Sequence, residues 1–202
     1  MMISQKKVWN NIAEEWAKFK TKPAKLTEEF LNKQTGKILD LGSGSGRHLQ
    51  KVKNGKMHLI DFSDEMIKLA KEKSKLKKIP AEFFVADLTK LPFENNFFDA
   101  AICISSLHCV KGEKNRKKAV KELFRVLKSS AKGLIGVWNK NSKRFKNAKK
   151  EKLVGWREKG KRYYYLFDEK EIHELFKKSR FRIISTHNTE MMINFIVEKR
   201  LS

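Results

Sequence analysis

The chain has 202 residues, and its 46 lysines and arginines against 23 aspartates and glutamates give a net charge of +23. This length fits one domain with its own core, and 40% hydrophobic residues exclude a disordered chain. Two cysteines are too few for a disulfide framework or a zinc site, and no apolar run is long enough to span a membrane. Reduced cysteines and the lack of a signal-peptide pattern predict a cytoplasmic protein. The charge favours polyanionic partners such as nucleic acid, with a solvated lysine-rich surface as the alternative.

Helices and strands alternate along the first two thirds of the sequence. Ser4 can cap an amphipathic helix over 4–20, and a second helix is predicted over 25–34. The five predicted strands are 37–42, 56–61, 81–87, 97–106 and 133–139. The predicted helices between them are 47–52, a helix capped by Ser63, and 116–128. This alternation indicates right-handed crossovers and an α/β fold with a Rossmann-like, doubly wound and mostly parallel sheet.

The pattern breaks after the fifth strand. Residues 140–162 contain eleven lysines and arginines and two glutamates, with neither helical nor strand periodicity. We therefore predict a long basic insert or flexible loop at 140–162, within a single domain spanning 1–202. A helix follows near Asp168, and strands over 181–187 and 191–199 are predicted to form an antiparallel closing hairpin.

A glycine-rich loop follows the first predicted strand. Asp40 precedes Gly42, Gly44 and Gly46, and glycines let the backbone approach a ligand closely. We expect the helix that begins at 47 to present its N-terminal N–H groups to that ligand. The third glycine comes one residue earlier than in the dinucleotide fingerprint, where Arg47 stands. The loop instead resembles motif I of the class I S-adenosylmethionine-dependent methyltransferases.

Two further acids end the next two strands. Asp61 can accept hydrogen bonds from both ribose hydroxyls of a cofactor. The resemblance implies that Asp87 accepts from the adenine amino group, that the N–H of Leu88 reaches a ring nitrogen, and that Phe62 packs against the adenine. One such acid alone is often a helix cap. Three acids at successive strand ends beside the glycine loop predict S-adenosylmethionine as the cofactor.

Longer stretches resemble one methyltransferase family, the tRNA wobble-uridine carboxymethyl methyltransferases of the tRNA methyltransferase 9 group. These stretches are VWNNIAEEWAKFKTKP, ILDLGSGSGRHL, LPFENNFFDAAICISSLHCV, GVWNK and RYYYLF. The resemblance covers 5–139 and 162–182. It implies methyl transfer to the carboxylate of 5-carboxymethyluridine at the wobble position of tRNA, which gives a methyl ester. The chain departs from the family at Cys109, where a second histidine is usual, and it lacks the acid after the tryptophan segment.

Three residues are candidates for positioning the substrate. His108 follows the fourth strand, where this class places residues that face the methyl group, and a partly exposed structural histidine is the alternative. Arg162 and Tyr163 are predicted to grip the substrate, with an ordinary basic surface and a packed aromatic ring as the alternative. The basic insert and nearby lysines are expected to contact tRNA phosphates. Those lysines are Lys18, Lys20 and Lys22.

Several enzymes of this family need a small zinc-binding activator protein that docks on the edge of the sheet. The strand order of the class makes segment 81–86 the edge strand. Its apolar residues Phe83, Phe84 and Val85 would favour pairing with a strand of such a partner. Cover by another part of this chain is the alternative.

Two other functions stay open. The first is a small-molecule methyltransferase of the quinone or metabolite type, which shares motif I and similar strand ends. The second is a non-catalytic RNA-binding scaffold with a degenerate cofactor site. The basic and aliphatic-poor insert disfavours the former, and the intact acids and glycines disfavour the latter.

Overall fold

The computed structural model describes residues 4–19 and 21–200, so Lys20 lies outside the described residues. In chain order the elements are α1 (Gln5–Phe19), α2 (Lys25–Leu31), β1 (Thr35–Leu41), β2 (Lys53–Asp61), α3 (Asp64–Lys77), β3 (Ala81–Val85), β4 (Phe98–Ile104), α4 (Glu113–Val126), β5 (Leu127–Trp138), β6 (Glu151–Gly155), β7 (Lys161–Tyr165), α5 (Glu169–Lys178), β8 (Phe181–Thr186) and β9 (Met192–Lys199). Among the described helices, none combines the length and the apolar character needed to cross a membrane.

Seven strands form one sheet in the order β3-β2-β1-β4-β5-β9-β8. Strands β1 to β5 are parallel, and β9 is antiparallel to both β5 and β8. Apolar clusters cover both faces of the sheet, so β1 and β4 are buried on both sides, which explains their nearly continuous apolar sequences. The predicted Rossmann-like sheet, its antiparallel closing hairpin and the edge position of β3 are confirmed.

The predicted helix over 47–52 is wrong. Only eleven residues separate β1 from β2, and they form successive turns, with the N–H of Gly46 donating to Ser43 and that of Leu49 donating to Gly46. A connection this short leaves no room for a crossover helix, and Leu49 instead packs into the core beneath the sheet. The glycine loop therefore has no helix N-terminus behind it.

The basic insert is not a plain loop. Its second half forms a hairpin, in which β6 pairs antiparallel with β7 over 151–155 and 161–165. The Nε1 of Trp156 donates to Glu15 of α1 at 2.7 Å, and Gln5 of α1 exchanges hydrogen bonds with the backbone of β7. Packing against α1 stabilises this hairpin, and the charged run at 149–152, which leads into β6, conceals its strand pattern in the sequence.

Candidate active site

A cavity of about 950 Å³ opens where the carboxyl ends of the parallel strands meet. Loops after β1, β2, β3 and β4 form its floor, and the last residue of β5, Trp138, forms part of its wall. Helix α1 covers it with Gln5, Trp9 and Trp16, and β7 contributes Tyr164. Open α/β sheets bind their ligands at this edge.

Helix α1 is fixed over the cavity from two sides. On one side, Asn10 bonds to Asp64 at 2.9 Å and accepts from the hydroxyl of Ser63 at 2.6 Å. On the other, the side chain of Gln5 donates to Lys161 at 3.1 Å and accepts from the N–H of Tyr163 at 2.8 Å. The basic hairpin therefore helps to hold the cover of the site.

The glycine loop is hydrogen-bonded to the end of β2. The N–H groups of Gly42 and Ser43 both donate to the carbonyl of Ile60 at 2.8 Å. Gly42 has a φ of +78°, and a Cβ there would lie 2.2 Å from Oγ of Ser106, so only glycine fits. Gly44 has a φ of +54° and faces the cavity, where its backbone is open to a ligand.

Asp61 joins the loop to the floor of the cavity. One carboxylate oxygen accepts from the N–H of Gly44 at 3.0 Å, and the other accepts from the N–H of Ser63 at 2.9 Å. Burial raises the pKa of Asp61 to about 6, although these backbone N–H groups oppose the rise. Each oxygen keeps further acceptor capacity, which is the chemistry needed to bind a vicinal diol.

Asp40 and Gly46 lie behind the loop and do not line the cavity. A Cβ on Gly46 would meet Leu59 and Ala70 at 3.3 Å, so this glycine allows close packing against the core. Asp40 is 1% exposed, and its Oδ2 is buried with no hydrogen-bond partner among the described residues. Burial, with a smaller contribution from the charge of Asp61, raises the pKa of Asp40 to about 8.

Phe62, Asp87 and Leu88 line the same half of the cavity. Asp87 is exposed, and one of its oxygens accepts from the N–H and the hydroxyl of Thr89 at 2.7 and 2.6 Å. The structure thus brings together six of the eight residues predicted to bind the cofactor. The two exceptions, Asp40 and Gly46, support the loop from below.

His108 lies at the other half of the cavity, in a short helical turn after β4. It is 1% exposed, and its Nδ1 accepts from the N–H of Trp138 at 3.0 Å. Burial lowers its pKa to about 3, so the ring is neutral near pH 7 and carries its hydrogen on Nε2. His108 is therefore a hydrogen-bond donor toward a ligand, not a cation.

Arg162 and Tyr163 do not line the cavity, in contrast to the sequence prediction. Arg162 is 5% exposed, and its guanidinium lies among aromatic rings, 5.1 Å from Trp16 and 4.9 Å from Trp156. Tyr163 lies on the opposite face of β7, where its hydroxyl accepts from Arg116 at 3.4 Å. Both residues hold the hairpin in place and do not line the cavity.

Tyr164 and Arg144 line the cavity, and sequence reasoning missed both. Tyr164 stacks on Trp138 with ring centroids 4.1 Å apart, and its hydroxyl accepts from Arg162 at 2.8 Å. Strand alternation could have selected Tyr164 over Tyr163 once β7 was recognised. Arg144 lies in an irregular segment, so no sequence pattern pointed to it.

Known proteins resemble this chain in fold and in sequence. A family model described as "Methyltransferase domain" matches residues 39–135. A SAM-dependent methyltransferase from Methanosarcina mazei superposes with a TM-score of 0.74 at 24% identity, covering 90% of this chain and all of that one. A chain from the complex of the Haloferax volcanii Trm112 methyltransferase activator with a methyltransferase superposes with a TM-score of 0.72 at 16% identity, and both chains are fully covered.

Two relatives by sequence carry one name, tRNA (carboxymethyluridine(34)-5-O)-methyltransferase. The Arabidopsis thaliana protein is 40% identical over 101 residues, which are 50% of this chain and 24% of that protein's length. The Schizosaccharomyces pombe protein is 31% identical over 198 residues, covering 83% of this chain and 84% of the relative. The chain belongs to this family of methyltransferases. This methyltransferase is S-adenosylmethionine-dependent, as the methyltransferase domain, the relatives and the SAM-dependent methyltransferase that shares its fold together indicate.

The cavity of the methyltransferase fits this cofactor. Gly44 leaves its backbone uncovered at the ligand side, and Asp61 keeps acceptor capacity for two hydroxyls. We propose that the cofactor is held by the residues that line this half of the cavity. They are Gly42, Gly44, Asp61, Phe62, Asp87 and Leu88.

Cofactor affinity should depend on pH through Asp61. Because its pKa is about 6, the carboxylate that accepts from ribose hydroxyls is lost below that pH. We expect calorimetry to show weaker S-adenosylmethionine binding at about pH 5 than at about pH 7.5. Asp61→Asn should weaken binding at the higher pH by about 1.5–3 kcal/mol for each charge-assisted bond lost and should remove the pH dependence. Equal affinity of the variant and the wild type at pH 7.5 would exclude this role.

The raised pKa of Asp40 predicts a pH dependence of stability. The folded carboxyl ionises near pH 8, far above its unfolded value, so the free energy of unfolding should fall as pH rises toward 8. The buried histidines, whose pKa values lie far below the unfolded value, contribute a rise in stability at the lower end of this range. That contribution is the same in the wild type and in an Asp40 variant, so the difference between the two proteins from about pH 6.5 to pH 8 isolates Asp40. In denaturant titrations over that range, Asp40→Asn should lose less stability than the wild type. Parallel slopes for the two proteins would contradict a protonated Asp40.

Proposed function

We propose that this enzyme methylates the carboxylate of 5-carboxymethyluridine at the wobble position of tRNA, giving the methyl ester. The observation that carries the proposal is the distribution of charge in the cavity. Among the described lining residues, the only carboxylates are Asp61 and Asp87, both at the cofactor half. The half around His108, Arg144 and Tyr164 offers donors, which suit an anionic substrate.

The reaction at this site needs no general base. The cofactor supplies a methyl group already activated by a sulfonium, and a carboxylate oxygen is already an anion. The protein has to align the carboxylate and exclude water from it. A neutral His108 fits that task, because its Nε2–H can hold one carboxylate oxygen without removing a proton.

The nucleosides of cellular tRNA test this function. With tRNA as the substrate, the proposed location is the cytoplasm. Mass spectrometry of tRNA from a strain that lacks the enzyme should show carboxymethyluridine in place of its methyl ester. Re-expression of the wild type should restore the ester, and Asp61→Asn should not. An unchanged nucleoside profile would instead favour a small-molecule methyltransferase.

The basic insert supports tRNA as the substrate, although only part of its charge is available to RNA. Lys150 is 3.1 Å from Asp168 and 2.8 Å from Glu171, so it stabilises the fold. Lys149 and Lys152 are exposed, and neither forms an ion pair with a described residue. These two lysines are the better candidates for phosphate contacts.

Removing Lys149 and Lys152 should change the salt dependence of tRNA binding. Each lost phosphate contact should reduce the slope of log affinity against log salt by about 0.7–0.9. The double variant Lys149→Ala, Lys152→Ala should show this in a salt titration while cofactor affinity stays at the wild-type value. A matched double variant on α3, Lys68→Ala and Lys71→Ala, serves as the control for total charge. If both variants keep the wild-type slope, the insert does not contact RNA.

The edge of the sheet supports a protein activator. Across the described residues, no other strand pairs with the outer edge of β3. Val85 is 49% exposed, whereas Phe83 and Phe84 pack against the two apolar clusters. One neighbour by structure comes from a complex with a methyltransferase activator. We propose that an activator of this kind, with a zinc-binding fold, adds a strand to β3.

Val85→Pro should abolish this docking without breaking the sheet. The N–H of Ala86 donates to the backbone carbonyl of Asp61 in β2. Because successive N–H groups of a strand point to opposite sides, the N–H of Val85 points to the open edge. Proline removes that donor, while Val85→Ala keeps it. Co-purification of a candidate activator should therefore be lost with Val85→Pro and retained with Val85→Ala. Full activity and monodispersity of the isolated chain would contradict the need for a partner.

A further inference from the structure

Arg144 is held at the substrate half of the cavity by its neighbour. Phe145 is 1% exposed and stacks on Trp138 with ring centroids 5.0 Å apart. The N–H groups of Phe145 and Lys146 both donate to the carbonyl of Ser142 at 2.9 Å, which closes a turn. Arg144 itself is exposed, and its guanidinium carbon lies 5.9 Å from the centre of the Trp138 ring. A buried aromatic ring therefore anchors an accessible cation beside the site.

The charge of Arg144 has no counterion in the described part of the chain. Three cations of the basic insert are paired, since Lys150 bonds to Asp168 and Glu171 and both Arg157 and Lys159 bond to Glu15. No described carboxylate forms an ion pair with Arg144, and the two carboxylates that line the cavity, Asp61 and Asp87, belong to its cofactor half. The guanidinium is thus available to an anionic ligand.

Tyr164 adds a second donor on the same aromatic stack. Its ring lies 4.1 Å from that of Trp138, and its oxygen accepts from Arg162 at 2.8 Å. Because Arg162 only donates, the hydroxyl hydrogen of Tyr164 must go to another acceptor, and none is found among the described residues. Burial raises the pKa of Tyr164, so the hydroxyl keeps this hydrogen.

The geometry points to a carboxylate-binding site formed by Arg144 and the hydroxyl of Tyr164, which selects the carboxymethyl group of the substrate. This inference rests on the proposed function and names the residues that would distinguish carboxymethyluridine from uridine. A guanidinium binds a carboxylate through two parallel hydrogen bonds, which fixes its orientation as well as its charge. A backbone phosphate of the RNA offers similar anionic oxygens, so the test has to separate the two sources.

The test compares three anticodon stem-loops that differ only at the wobble position, which carries uridine, carboxymethyluridine or its methyl ester. The full chain is saturated with S-adenosylhomocysteine, and dissociation constants are measured. The wild type should bind the carboxymethyl RNA about tenfold more tightly than the other two. Arg144→Gln should lose this preference, and Arg144→Lys should keep only part of it. Lys146→Gln removes the same charge from an exposed residue that does not line the cavity, and it should keep the preference.

The outcomes separate the site from the proposed function. If Arg144→Gln weakens all three RNAs equally, Arg144 binds a phosphate and the carboxylate site is wrong. If the variant keeps the full preference, the carboxylate is bound elsewhere. If the wild type itself shows no preference, the proposed substrate is wrong and the site falls with it. An unchanged affinity of Arg144→Gln for S-adenosylhomocysteine shows that the variant is folded.

Discussion

The site depends on the hydrogen bonds that join the glycine loop to the end of β2. The carbonyl of Ile60 accepts from two successive loop N–H groups, and the carboxylate of Asp61 accepts from the N–H of Gly44. In this chain no helix follows the loop to hold it, so these bonds set its position. The same carboxylate also lines the cavity, so one side chain both positions the glycine loop and offers hydrogen-bond acceptors to the cofactor.

The substrate half is built on a second principle, the stacking of aromatic rings. The rings of Phe145 and Tyr164 both stack on Trp138, with centroids 5.0 and 4.1 Å away, and the backbone N–H of Trp138 fixes the tautomer of His108. Offset stacking positions these groups without burying an unpaired charge at the reacting centre. Donors therefore line the half of the cavity around His108, and the carboxylates of Asp61 and Asp87 line the cofactor half, which is the distribution that the proposed anionic substrate requires.

The sequence predicted those parts of the site that depend on local chemistry. Apolar runs gave the strands, and the topology of parallel strands brought Gly42, Asp61 and Asp87 to one edge. The sequence wrongly predicted a helix after the glycine loop, because helical propensity does not show that only eleven residues connect β1 to β2. The length of that connection decides its conformation, which is a series of turns.

The substrate residues were harder to predict because their roles depend on tertiary contacts. Tyr163 and Tyr164 are adjacent in sequence but lie on opposite faces of β7, and a register one residue away exchanges their environments. Arg162 is basic, which suggested a contact with the substrate, yet it is buried beside Trp156 in the packing of the hairpin against α1. Arg144 owes its place to the burial of Phe145, which no periodicity revealed.

The most direct test of a carboxylate-directed methyltransferase is a reaction of the purified enzyme with defined RNA. Two anticodon stem-loops would be incubated with S-adenosylmethionine, one with carboxymethyluridine and one with the corresponding amide at the wobble position. Mass spectrometry of the product nucleosides should show the methyl ester from the acid and no methylation of the amide. Methylation of both RNAs, or of a base or ribose atom in either, would contradict the account.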